Sequence, residues 1–439
     1  MSAPKIAIIG AGPAGCTLAR LLHQAPVPVT VTVFEGEASP NYRSQGGTLD
    51  LHTATGLAAI KEAGLWDRFL EHARYDGDRM QITDKDMKVY FQHAGSPAPE
   101  DNPRGLLGQR PEIDRADLRR ILTESLPDGM IRWGRHLKHV EAAATGGGST
   151  LVFADGTSAS GFDLVVGADG AWSKVRRALS DQDPVFAGVG GHELSIPADA
   201  AARAPELHAA VGGGSLFANV EGKRLTAQQM GDASMCVYAL QRQESADWFD
   251  AGKCGYDARD VVQTRRALAG EGGPFADWCP TLRDAIRLTG DEVCVPRSLH
   301  MLPVGFRWGH RRGLTLIGDA AHLMTPFAGE GVNVAMEDAM KLAKAVVGAA
   351  EKRAEDGAGA ADALDEAVVR FEEEMWPRAE KVARLADDLT KAWMFTPGVP
   401  GSVMASTAAM HVRFRTPGVV HPFATAFVHS YFFFKGLGR

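Results

Sequence analysis

Short apolar runs punctuate this chain, and several end in a glycine turn followed by a helical stripe. Residues 5–9 form a β-branched run, 16–23 a helical one and 29–34 a second strand pattern. The order returns at 162–166 and at 314–317, where a buried-strand run meets Gly318-Asp319 and a loop holding Pro326, Gly329 and Gly331. Beyond that loop Val332, Ala335, Met336, Ala339, Leu342 and Ala343 share one helix stripe. Helices are also expected at 55–63 and 65–70, strands within 80–91, and a small sheet from 131–140 and 150–153. Between 181 and 290 the texture changes to strands at 188–195, 212–218, 223–230 and 233–241, with a helix at 258–268. An amphipathic stretch at 364–395 closes the body, with a kink expected at Pro377. The patterns give an α/β fold with an inserted, mostly antiparallel β-sheet domain and a long C-terminal helix.

At 439 residues the chain is longer than one core usually organises, so two domains are expected. Hydrophobic residues at 45% and charged residues at 23% fit an ordinary globular protein, and a net charge of −7 argues against nucleic acid as a partner. Cys16, Cys236, Cys254, Cys279 and Cys294 are scattered without a C-x-x-C pair, which points to reduced thiols, no metal site and a cytoplasmic enzyme. The apolar run at 6–12 is too short for a signal peptide. The aromatic-rich end, 419–437, is interrupted by His421, Pro422, His429 and Ser430, so packing against the protein is expected over membrane contact. A monomer is favoured.

The strongest local chemistry is Gly10-Ala-Gly12-Pro-Ala14-Gly15 between the first strand and its helix, with Glu35 ending the second strand about 20 residues on. Gly10 permits the tight turn, Gly12 lets a pyrophosphate approach the backbone, and Gly15 lets helix and strand lie close. Glu35 would accept hydrogen bonds from a ribose, so a dinucleotide site is expected. Gly46-Gly47, in the run from Arg43 to His52, points to close backbone approach by a ligand. Asp114 is expected to N-cap a helix with Asp117 at N3, setting Arg115 and Arg119 on one side. The corners at 167–176 and 318–333 each turn a strand into a helix, and backbone N–H groups there suit anionic or carbonyl oxygens. Asp319 cannot attract a phosphate and should meet hydroxyls, water or a backbone donor. His322 reads as a buried structural histidine, and spacing alone assigns no catalytic base.

In chain order, 10–15 with Glu35, 167–176 and 318–333 resemble the class A, single-component FAD-dependent aromatic monooxygenases over roughly residues 5–395. The runs Gly-Gly-Thr-Leu-Asp-Leu-His at 46–52, Pro-Glu-Ile-x-Arg at 111–115, Ser-Lys-Val-Arg at 173–176 and the 318–333 motif look most like the tetracycline-inactivating flavin monooxygenases. The resemblance implies a Rossmann-like FAD-binding domain from 1–75, 105–180 and 291–350, and a substrate-binding domain from 76–104 and 181–290. It also implies a bridging helix at 363–395, followed by an apolar aromatic extension at 396–439. The implied cofactor contacts are Gly10, Gly12, Ala14, Gly15, Glu35, Arg43, Gly47, Asp50, Arg115, Asp169, Asp319, Pro326, Gly329, Gly331, Val332 and Asn333. Among them Arg43 would touch the flavin, Arg115 and Asp319 the ribityl and phosphate side, and 326–333 the isoalloxazine ring. Arg43, Gly329 and Asn333 would support catalysis.

The reaction implied by the resemblance has NADPH reduce FAD and O2 add at flavin C4a. The hydroperoxide so formed would insert one oxygen into a polycyclic aromatic, polyketide or tetracycline-like substrate, as a hydroxylase of secondary metabolism or antibiotic resistance does. No second dinucleotide motif occurs, which suits NADPH that binds only transiently. Residues 185–245 carry no counterpart of the polar residues that grip tetracycline; His208 and Gln228, with Gln229, are the nearest candidates. Two alternatives are a non-catalytic flavin-binding protein and a flavin-dependent halogenase. The halogenase should carry Trp-x-Trp-x-Ile-Pro, whereas Trp248 and Trp278 stand alone.

Overall fold

Five strands pair side by side, all parallel, in the order Leu314–Leu316, Leu164–Gly167, Lys5–Ile9, Thr30–Phe34 and Ile131–Arg132. This arrangement comes from a computed structural model that describes residues 3–39, 46–95, 110–141, 148–356, 360–416 and 421. Ile6, Ala7, Ile8, Val165, Val166, Leu314 and Leu316 are wholly buried. Strands covered on both faces read as continuous apolar runs, which is why these segments stand out in the sequence. The helices Pro13–His23 and Gly331–Asp356 pack against each other in the same core. Because the strands run one way, the turns at Gly10, Gly167 and Gly318 leave from a common edge, the place where open α/β sheets bind ligands.

Two local expectations change. The run at 131–140 is not one strand: Gly134, at φ +70°, turns the chain. Ile131–Arg132 therefore join the parallel sheet, while Leu137–Glu141 pair with Thr150–Phe153 in a separate three-stranded sheet. Asp114 does hold the N-cap position of Arg115–Glu124, but its side chain makes no capping bond. Its carboxylate accepts instead from Arg74 Nη2 (3.2 Å) and the Gly231 N–H (3.0 Å), tertiary donors that outcompete the helix.

The second sheet has seven strands in the order Cys294–Met301, Val185–Ile196, Met235–Arg242, Lys223–Gln229, Ser215–Val220, Met80–Thr83 and Val89–His93. All neighbours are antiparallel except Ser215–Val220 beside Met80–Thr83. Cys294–Met301, assigned from sequence to the nucleotide half, is an edge strand of this sheet. Side chains alternate across its plane. Leu194, Leu216, Leu225, Val237 and Ala239 are buried against the helices Pro205–Val211, Val261–Ala269 and Pro280–Arg287. The opposite face carries Glu193, Tyr238, Thr226 and Phe217 in one register row, and Cys236, Gln228 and Ser215 in the next.

The helix Ala360–Phe395 runs through Pro377 and lies along Gly331–Asp356. Leu385, Leu389 and Trp393 at its far end pack with Val403 and Met404 at the start of the last described helix, Met404–Arg415, and with Phe327 and Ala328. No helix among the described residues is long and apolar enough to cross a membrane. The aromatic run at 422–439 lies outside the described residues.

Candidate active site

At the first corner the backbone is packed to contact. A Cβ built on Gly15 would lie 2.0 Å from the Gly10 carbonyl oxygen, and one on Gly10 2.3 Å from that of Ala168. Gly12 is the opposite case, with nothing within 4 Å of its Cβ position. It precedes Pro13 at the start of Pro13–His23, where no side chain caps the helix and Ala14 and Gly15 follow. An open cradle at a helix N-terminus fits a pyrophosphate. Glu35 is fixed beside it: Oε2 accepts from the Ala11 N–H (2.7 Å) and Oε1 from the Glu37 N–H (2.9 Å). Each oxygen keeps a lone pair for a hydroxyl.

The second and third corners are joined by one side chain. Arg176, 1% exposed, donates to the Ala320 carbonyl (3.0 Å) and the Ala171 carbonyl (2.6 Å). Asp169 spends its oxygens within its own corner, accepting from the Ser173 hydroxyl (2.5 Å) and the Lys174 N–H (2.7 Å). Burial nonetheless raises its pKa, with those hydrogen bonds opposing. Asp338 anchors the third corner from below. It accepts from the Gly318 N–H (3.1 Å), pairs with His322 Nε2 (2.5 Å) and receives Arg378 Nη2 (2.7 Å). His322 is thus buried and held by a carboxylate.

Asp319 is different. It is exposed to solvent although surrounded closely by protein, and its side chain makes no hydrogen bond among the described residues. Burial raises its pKa against the pull of His322, Arg115 and Arg176. Arg115, exposed near it, likewise has no ion-pair partner among the described residues. A free acceptor beside a free cation suits a ligand carrying both hydroxyls and phosphates.

Beyond Pro326–Ala328, Gly329 takes φ +67° and the long helix begins at Gly331, where a Cβ would meet nothing within 4 Å. The first helical bond there runs from the Val334 N–H to the Glu330 carbonyl, so the N–H groups of Gly331, Val332 and Asn333 precede the helical ladder. The Asn333 side chain is fully engaged elsewhere: Oδ1 accepts from the His52 N–H (2.8 Å) and Nδ2 donates to the Asp50 carbonyl (2.8 Å). What it can offer a cofactor is its backbone N–H. Gly47, at φ +66°, accepts the Arg115 N–H through its carbonyl (3.2 Å). A Cβ on it would lie 2.6 Å from Tyr238 Oη, and one on Gly46 would run into Glu193 Oε1, so this turn rests on the polar face of the large sheet. Asp50 pairs with His52 (2.9 Å). Arg43 lies outside the described residues.

Of the two substrate candidates, Gln228 is on the polar face of the large sheet, donating to Ser215 Oγ (3.2 Å). His208 is not beside it. It is exposed on Pro205–Val211, the helix that buries Leu207, Ala210 and Val211 against the far side of the sheet. Sequence reasoning missed Arg224, whose guanidinium stands 4.5 Å from the Phe217 ring centre, 5.0 Å from Phe327 and 5.9 Å from Trp393. Its one hydrogen bond among the described residues is Nε to Thr226 Oγ1 (3.3 Å), and burial without a carboxylate pulls its pKa down to about 10. The signal was present: Arg224, Thr226 and Gln228 alternate with Leu225 and Ala227. Glu193, paired with Arg297 (2.7 Å), lines the same face. The described residues hold no His/Cys/Asp/Glu group able to bind a metal.

The family model described as FAD binding domain matches residues 4–215 and 306–382 of this chain. Monooxygenase penA of Penicillium thymicola is 38% identical over 417 residues, covering 87% of this chain and 93% of that protein. Among solved structures, Klebsiella pneumoniae HpxO complexed with FAD and uric acid has the same fold, at a TM-score of 0.70, 21% identity and 97% coverage of both chains. The tetracycline destructase Tet(51) matches with a TM-score of 0.63 at 17% identity, covering 98% of this chain and 97% of its own. The glycine corners and the open groups at Glu35, Arg115, Asp319 and Gly331 lie within these matched residues, and the chain belongs to the FAD binding domain family of class A flavin monooxygenases, as an FAD-dependent monooxygenase.

Proposed function

We propose that, with NADPH and O2 as co-substrates, the protein adds one oxygen atom to a fused-ring aromatic or polyketide-type molecule bearing an acidic hydroxyl or enol. FAD, when bound, supplies the electron transfer and the oxygen activation. The chain supplies orientation, charge and exclusion of water. The open turn at Gly12, Glu35, Arg115 and Asp319 would hold the nucleotide and ribityl parts, and the N–H groups at 331–333 the flavin's carbonyl edge.

Arg224 carries the substrate class. It has no carboxylate partner among the described residues, yet with a pKa near 10 it stays charged at neutral pH. An ionised or strongly polarised substrate oxygen would complete it, a charge-assisted bond contributing about 1.5–3 kcal/mol. The same charge favours the ionised hydroxyl, which makes the ring more electron-rich and so more reactive toward an electrophilic oxygen. Phe217 and Phe327, both half-buried, offer flat apolar surfaces for a ring system. The uric acid held by the Klebsiella protein is a fused-ring weak acid, in keeping with this reading. The likenesses to the Klebsiella protein and to Tet(51) are both likenesses of fold.

The test is a product screen by mass spectrometry with NADPH and O2 over tetracyclines, other polyketides and fused aromatic alkaloids. Compound-dependent NADPH oxidation and a one-oxygen mass gain are expected among the weakly acidic members. Gain confined to neutral compounds would refute the role given to Arg224.

A further inference from the structure

His52 touches two carboxylates. Its Nε2 is 2.9 Å from Asp50 Oδ2 and its Nδ1 3.0 Å from Glu330 Oε2. An ionised carboxylate only accepts hydrogen bonds, and a neutral imidazole has a single N–H to give. Both contacts are satisfied together only when both ring nitrogens carry protons, so this geometry is that of an imidazolium. Arg110 completes the group, with Nη1 3.6 Å from Asp50 Oδ2 and Nη2 3.9 Å from Glu330 Oε1. Two cations and two anions therefore alternate. From the helix Met404–Arg415, Arg415 adds positive charge felt by this group, while burial, with Arg415 and Arg110, holds His411 down to about 4 and so neutral.

The cluster is attached to the turn that meets the cofactor. Glu330 lies between Gly329 and Gly331, and its carbonyl accepts the first bond of the helix Gly331–Asp356. That turn is tied to the 50–56 segment twice. Asn333 makes neutral hydrogen bonds to the His52 N–H and the Asp50 carbonyl, which do not titrate. The Glu330–His52–Asp50 contact does.

We propose that protonated His52 is a positioning residue that clamps Glu330 to Asp50, holds the Gly329-Glu330-Gly331 turn in its flavin-binding position, and makes FAD affinity fall when it loses its proton. The proposal rests on the reading of 326–333 as the face along the isoalloxazine ring. Its direction in pH follows from the surroundings. Burial alone would lower the His52 pKa, but the hydrogen bonds and charges of Asp50 and Glu330 outweigh it and raise it. The clamp is therefore complete below 6.5, the ordinary histidine value, and is lost as pH rises through the raised one.

The experiment titrates FAD into apo-protein by flavin fluorescence quenching from about pH 5.5 to 9, with the visible spectrum of the bound flavin recorded alongside. Wild type should bind tightly at the acid end and lose roughly tenfold in affinity across the rise, one charge-assisted bond's worth. His52→Gln, whose amide cannot donate to two carboxylates through both ends, should already be weak at the acid end and show no such pH step, in affinity or spectrum. Glu330→Gln keeps the histidine and should lose most of the step, which covers the case of a His52 variant that folds poorly. His310 is the control: it also bridges two carboxylates, Glu372 (2.8 Å) and Asp365 (3.2 Å), but away from this turn. His310→Gln should keep the wild-type FAD profile. A His52→Gln profile matching wild type overturns the clamp while leaving the flavin site intact. Failure of every form, wild type included, to bind FAD overturns the flavin reading and the clamp with it.

Discussion

The nucleotide half and the seven-stranded sheet meet at Gly47 and Phe327, and in the proposed reading they recognise ligands with different atoms. In the nucleotide half the atoms are mostly backbone: the cradle at Gly12, the helix start at Gly331 and corners packed so closely that a methyl group does not fit. On the sheet they are side chains drawn from separate strands, among them Glu193, Arg224, Gln228 and Tyr238. Backbone recognition demands glycine at fixed spacing within a few residues, so it leaves a contiguous mark. Side-chain recognition demands only that alternation put a suitable group on one face. It leaves almost none.

That contrast can be broken at the backbone end first. Asp338→Asn removes the carboxylate under the third corner and leaves His322 buried beside a neutral amide, with Arg378 keeping only Glu337, so a loss of about 3 kcal/mol is expected. The pH dependence has two signs. The His322 pKa is raised, so its contribution is complete below 6.5 and lost as pH rises through the folded value. The Asp338 pKa is lowered, so its contribution is present above 3.8 and lost as pH falls through the folded value. Denaturant unfolding between about pH 2 and 9 should find wild type most stable in the middle and the variant flatter. Equal stability of the two at pH 6 would remove the anchor.

Gly15→Ala comes next. The added methyl meets a carbonyl oxygen of the backbone, which cannot yield as a flexible side chain can, so a cost of about 3 kcal/mol is expected together with loss of FAD. A variant melting with wild type would show the packing to be looser than drawn. Gly12→Ala is the smallest effect on the apo-protein, below about 0.5 kcal/mol, because its methyl enters open space. Its effect belongs on the cofactor, and unchanged FAD affinity would mean that the phosphates lie elsewhere.

The same distinction explains what was legible in the sequence. The strands at 5–9, 164–167 and 314–316 announced themselves because both faces are buried, and the glycines because the backbone needs them. The single strand expected at 131–140 failed on Gly134, whose left-handed φ is a matter of tertiary path rather than local pattern. Asp114 takes the expected N-cap position, but its side chain makes no capping bond because Arg74 and Gly231, far away in sequence, claim its oxygens. His208 was drawn to the site by nearness in sequence to the sheet strands, but Pro205 starts a helix whose apolar side faces the other way. Arg224 was passed over because a lone arginine in a strand looks like surface until Phe327 and Trp393, a hundred residues and more downstream, close around it.

In the proposed division of labour the glycine corners hold FAD and the sheet's polar face holds the substrate. Arg224→Gln tests it most directly, measured as bound FAD by flavin absorbance and as KM for the compound returned by the product screen. Full FAD content with KM raised roughly 10–100-fold, the equivalent of one charge-assisted bond, is the expected result. Loss of FAD with KM unchanged in the fraction that keeps it would contradict the account.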